Sequence, residues 1–282
     1  MRPSVRTKRL VRVIAARRLS RAAGVIAFSA LADSGIEHYR GAYHNPAMIA
    51  PPLISAAILA VSVHGTADER AITHRVRHGT SVAAALTGFI GLGFHLYNIT
   101  KRPGGLSWMN LFYGAPPAAP AAVALAGLLG YGAERVRDAA VQTRPVILGL
   151  PAGRALAAIC SAGLLATVGE VALLHFRGAY HNPAMFLPVA IPPAAAVLLG
   201  NAAFGRKGID RRFTRWALRA TAVLGFAGVG FHAYGISRNM GGWRNWSQNI
   251  LSGPPLPAPP SFTGLALAGL AALGLMDDHP DA

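Results

Sequence analysis

Six of the ten histidines form pairs 137 positions apart: His38 with His175, His44 with His181, and His95 with His232. Neutral imidazole is the commonest metal ligand among side chains and also a proton carrier near neutral pH, so a duplicated set invites both chemistries. The other four, His64, His74, His78 and His279, have no histidine partner. Asp33 and Glu170 form a similar acidic pair, each five residues before the first histidine of its set. Five residues turn an α-helix by about 140°, so Asp33 and His38 do not share a face unless the helix kinks. Arg40 and Arg177 lie seven residues after these acids and do share their face, which suggests an ion pair or a proton relay.

These residues sit inside a longer repeat. His38 to Met48 reads HYRGAYHNPAM and His175 to Met185 reads HFRGAYHNPAM, ten matches in eleven positions. The same offset relates GFIGLGFHLY from Gly88 to GFAGVGFHAY from Gly225. The chain is thus a tandem duplication, divided into residues 1–137 and 138–282. Within the repeated motif, Asn45 and Asn182 suit a helix N-cap, and Pro46 and Pro183 suit the first helical position. Gly41 and Gly178 suit the tight break before it. Gly88, Gly91 and His95 share one helix face, as do Gly225, Gly228 and His232. Such a small-residue stripe either admits a neighbouring helix or makes room for a flat macrocycle beside the histidine.

The elements that must position these groups are membrane helices. Of 282 residues, 52% are hydrophobic and only 13% charged, with a mean hydropathy of +0.38. Soluble domains carry about 25% charge, so this surface is poorly supplied for water. Each half holds four apolar runs, roughly 22–41, 46–64, 79–98 and 117–133, then 155–176, 183–204, 218–236 and 257–276. A helix of about 20 residues crosses the hydrocarbon core, and the runs lack the alternation of barrel strands. The expected fold is all-α, with eight transmembrane helices in two parallel four-helix repeats. A pseudo-twofold axis would run along the membrane normal. The first run resembles a cleavable signal peptide, but its counterpart at mid-chain is a mature helix, so it is read as retained. Pro51, Pro188, Pro192 and Pro193 are expected to bend the second helix of each half.

Of 27 Lys and Arg, 21 lie in residues 1–21, 65–78, 134–154 and 206–219, all on one side of an eight-helix path. That side, with both termini, is expected to be cytoplasmic in a bacterial-type inner membrane, and the histidines face outward. The net charge of +16 is then a topology signal and not a nucleic-acid footprint. The outer loops Lys101–Pro120 and Arg238–Pro260, rich in proline and tryptophan, are expected to form an ordered cap.

A single cysteine, Cys160, excludes an intramolecular disulfide and a cysteine-built zinc or iron–sulfur site, and it reads as an apolar filler. Imidazole with carboxylate points to iron, copper or zinc. The leading expectation is a redox subunit holding b-type haem or such a metal on His38, His95, His175 and His232, with His44 and His181 at the rim. It would pass electrons between a soluble outer-side donor and quinone. The alternatives are a transporter or binding protein for a metal ion or small anion, and a membrane anchor for a soluble outer-side partner.

Overall fold

A computed structural model describes residues 5–116, 119–139, 145–205 and 211–278, so His279 lies outside the described residues. The chain is almost wholly helical: α1 (Val5–Arg40), α2 (Ala50–Ala67), α3 (Arg75–Thr100), α4 (Trp108–Tyr113), α5 (Ala119–Asp138), α6 (Ala152–Arg177), α7 (Leu187–Phe204), α8 (Arg212–Arg238), α9 (Trp246–Ser252) and α10 (Pro260–Asp278). A two-residue antiparallel pairing of Val146–Ile147 with Leu150–Pro151 joins α5 to α6. Each of the eight long helices overlaps one of the eight apolar runs, with α1 starting well before its run. Six of them are long and apolar enough to cross a membrane, and the chain is a multi-pass membrane protein by that measure. The remaining two, α1 and α5, are diluted by their own charged residues and sit among the most interior helices.

Within the first half, α1 and α3 stand at opposite corners, each packed against α2 and α5. In the second, α6 and α8 take the same opposed places, packed against α7 and α10. The halves join chiefly where α1 lies along α10, with the Ser29 hydroxyl bonded to the Pro257 carbonyl and to Ser261 at 2.8 Å.

The glycine stripes serve this packing. A Cβ on Gly88 would collide with the backbone of Ala124 on α5, and one on Gly225 with Thr263 on α10. Gly91 and Gly228 lie against Pro120 and Pro259 in the same way. The stripes therefore admit the fourth helix of each half and leave no room there for a macrocycle. The prolines also act differently from expectation. Pro51 and Pro188 occupy the first turns of α2 and α7, where a missing N–H costs nothing, and α7 runs unbroken through Pro192 and Pro193.

Packing is uneven along the bundle. In α1, buried residues run from Arg12 to Ala30, and none of residues 31–40 is buried. Burial in α6 stops at Leu164; in α3 nothing between Gly88 and Ile99 is buried, and in α8 nothing between Gly225 and Ile236. The six paired histidines all lie on the unpacked side of these limits.

A candidate imidazole site at the loosely packed end

The repeated corner is built from its backbone outward. Asn45 and Asn182 each accept from the N–H two residues on, at 2.9 Å, and so cap a 3-10 turn that leads into α2 or α7. The left-handed residues at the corner are not the glycines but Ala42 and Tyr43, with φ of 54° and 46°, and Ala179 and Tyr180, with 56° and 45°. Two consecutive non-glycine residues in that region carry backbone strain. Gly41 and Gly178 have a different task, since a Cβ there would lie 3.0 and 3.2 Å from the Cε of Met48 and Met185.

The strained step delivers a tyrosine to each histidine. Tyr43 meets the His38 ring edge-on with centroids 6.2 Å apart, and its hydroxyl donates to the Gly35 carbonyl at 3.3 Å. Tyr180 repeats this with His175 at 5.9 Å and with the Ala172 carbonyl at 3.2 Å. Neither tyrosine stood out as functional in the sequence; the signal was the bulky residue directly after Gly-Ala in both copies.

Every paired histidine has Nδ1 on a backbone carbonyl. His38 bonds Met48 at 2.5 Å and His175 bonds Met185 at 2.8 Å. His95 bonds Pro116 at 2.8 Å and His232 bonds Pro255 at 2.6 Å. His44 and His181 bond the carbonyls of Gly41 and Gly178, at 3.1 and 3.0 Å. A carbonyl only accepts, so Nδ1 carries the proton and Nε2 keeps a lone pair. That arrangement fixes ring orientation and leaves Nε2 available, as in the carbonyl-supported histidines of metal sites.

The proline-rich loops explain the acceptors on the third helices. Helix α5 begins beside Gly91, about one turn short of His95, so the non-helical Pro116 before it lies level with the imidazole. Proline has no N–H to compete, so Pro116 offers its carbonyl to His95, and the Pro255 carbonyl accepts from His232 and also from the Ala258 N–H at 3.3 Å. Asn110 and Asn249 hold these loops, donating to Pro103 and Gly105 and to Met240 and Gly242 at 2.8–3.2 Å. The two loops contain the short helices α4 and α9, with Trp108 and Trp246 exposed.

His38 and His95, from opposed helices, are close enough for their charges to interact, and so are His175 and His232. The imidazoles of these four are half-buried and face the unpacked end, whereas His44 and His181 lie exposed on the rim. Among the described residues, no three or more His, Cys, Asp or Glu side chains are grouped to hold a metal ion.

The acids and arginines arrange themselves otherwise than expected. Arg40 pairs with Glu37 at 2.7 Å and leaves Asp33 alone. Arg177 donates to the Leu111 carbonyl at 3.1 Å and stacks over Phe112 at 5.4 Å, which ties α6 to α4. It still interacts with the charge of Glu170, which also interacts with that of Asp33 across the two halves. Neither carboxylate has a hydrogen bond or ion pair among the described residues.

A second polar cluster, at the opposite end, was not anticipated. Arg77 grips Glu134 through two nitrogens at 2.8 and 3.1 Å and Asp68 at 2.7 Å. Arg137 donates to the carbonyls of Gly65, Asp68 and Arg70 at 2.5–3.0 Å. Burial alone would raise the Asp68 carboxyl, but hydrogen bonds from Arg70 and Arg77 outweigh it and hold it well below the usual carboxylate range. This cluster locks the α2–α3 loop onto α5 and has no counterpart in the second half, where Gly205 and Thr214 stand for Asp68 and Arg77.

No family model matches the sequence, and comparison with curated proteins and with solved structures finds no match.

Proposed function

We propose that all eight long helices span the membrane as two parallel repeats, with the basic end cytoplasmic and the histidines toward the outer face. In this reading each half binds a redox cofactor between opposed helices, His38 with His95 and His175 with His232. The observation that carries it is the shared imidazole state: Nδ1–H on a carbonyl, Nε2 free, on diagonal helices at the unpacked end. A pair of imidazoles in each half would suit b-type haem better than a bare zinc or non-haem iron, which draws on three or four protein ligands. When bound, haem would supply one-electron transfer between an outer-side donor and quinone. The chain's own part is to hold the rings: Tyr43 and Tyr180 fix their edges, and the carbonyls fix their tautomer.

The test is a visible spectrum with elemental metal analysis on detergent-purified protein, expressed with iron, copper and haem precursor supplied. A reducible Soret band supports the reading; folded protein that is colourless and metal-free sinks it. The double variant His95→Ala, His232→Ala should insert normally and lose the cofactor, and a full complement in that variant would defeat the ligand assignment.

A second reading, cation transport, draws on Asp33 and Glu170, two unpaired carboxylates whose charges interact across the halves. Against it, the basic half of the bundle is close-packed from α1 to α10. Cation flux in proteoliposomes that vanishes with Asp33→Asn and Glu170→Gln, without change in cofactor content, would favour transport.

A further inference from the structure

At the basic end, four arginines from two helices converge on one groove. Arg18 and Arg21 of α1 and Arg215 and Arg219 of α8 line a space of about 460 Å³, walled on its apolar side by Leu267 and Leu270 of α10. Its acid, Asp277, is engaged by Arg211 at 3.0 Å and by Arg215. Arg18, Arg21 and Arg219 make no hydrogen bond or ion pair among the described residues. Three guanidinium groups without a paired acid among the described residues thus line the same opening.

The duplication supplies an internal control. At the positions the 137-residue offset relates to Arg18 and Arg21 stand Ala155 and Ala158, and at those related to Arg215 and Arg219 stand His78 and Val82. The fold is built there without this charge, so packing does not require it. The bias of basic residues toward one membrane side accounts for arginines at this end, but not for their convergence at only one of the two sets of positions that the duplication relates.

Arg219 also lines a second groove, of about 430 Å³, between α7 and α8. Its other walls are apolar, among them Ile191, Trp216 and Val223. Arg219, Val223 and Ala227 lie four residues apart, so this groove follows one face of α8 away from the arginines. A charged head site and a hydrocarbon track therefore share one residue.

We propose that the arginine groove binds an anionic phospholipid of the leaflet at the basic end. The phosphodiester sits among Arg18, Arg21 and Arg219, and an acyl chain lies along α8. Guanidinium forks match phosphate oxygens, and basic pockets between membrane helices recognise lipid head groups on this principle. Free inorganic phosphate would satisfy the arginines and leave the apolar groove unused.

The test compares thermal unfolding and co-purified lipid for the full chain in nanodiscs of phosphatidylglycerol and of phosphatidylcholine. Wild type should be stabilised by phosphatidylglycerol and should retain it through detergent. Arg18→Gln, Arg21→Gln, Arg219→Gln together should weaken that preference on the order of a hundredfold. Arg75→Gln, an exposed arginine outside the groove, should leave the preference intact. Should the glutamine variant fail to insert, the triple lysine variant keeps the topological charge and should retain a reduced preference. The proposal is overturned if phosphatidylglycerol gives no advantage or if Arg75→Gln matches the groove variant. It also fails if inorganic phosphate stabilises the protein through these arginines and the lipid does not.

Discussion

Along its basic half, α1 buries Ala15, Ala16, Leu19, Ala22, Ala23 and Ile26 against α2, α5 and α10, whereas past Ala30 the same helix buries nothing. The packed end uses small residues and glycine to bring backbones together, a device suited to membranes, where lipid competes with any apolar side chain. Its largest polar cluster is held within the protein: Glu134 accepts from Arg77 and His74, and Arg137 donates to three loop carbonyls. The loose end inverts both habits. Its glycines Gly35, Gly93, Gly169 and Gly230 meet nothing within 4 Å, and its polar atoms include four Nε2 lone pairs and two unpaired carboxylates. One end is built for cohesion and the other retains capacity for a ligand.

The sharpest way to break this contrast is at the buried cluster. Glu134→Gln leaves Arg77 and Arg137 without their shared counter-charge inside the protein, and should cost about 3–5 kcal/mol. Thermal unfolding in detergent measures it, and a loss near zero would show that the cluster does not hold the packed end together.

Glycines offer a paired comparison. A side chain at Gly127 would run into the backbone of Ala85 and within 2.6 Å of the Ser81 carbonyl, so Gly127→Leu should destabilise by about 1–3 kcal/mol. Gly35→Ala, in the open end, should instead be neutral or gain up to about 1 kcal/mol from helix propensity. Equal losses at the two sites would remove the distinction in packing.

The smallest effect concerns acid. Asp68 is held below its unfolded value of about 3.8, so its contribution to stability is complete above that pH and fades as pH falls below it. An acid limb in the stability profile should flatten in Asp68→Asn. A limb unchanged by the substitution would assign acid sensitivity elsewhere.

Much of the candidate site was legible because its signals are local. The N-caps at Asn45 and Asn182 and the eight helices follow from side-chain type, short spacing and run length, all of which the chain expresses without its neighbours. Duplication added to this by marking which histidines recur. The motif glycines misled, since a left-handed corner ordinarily falls to glycine and here falls to Ala42 and Tyr43. The pairing of Asp33 with Arg40 also failed, because sharing a helix face sets a possible contact while Glu37, one turn from Arg40, sets a nearer one.

The sequence by itself determined the helical content, the repeat and the identity of the duplicated imidazoles, since each depends on contacts a few residues apart or on simple identity. Only the tertiary structure decided that Gly88 and Gly225 close onto a helix, that Pro116 and Pro255 present carbonyls to His95 and His232, and that Asp68, Arg77 and Glu134 meet. Those outcomes join residues 9 to 57 positions apart, and their geometry depends on how whole helices dock.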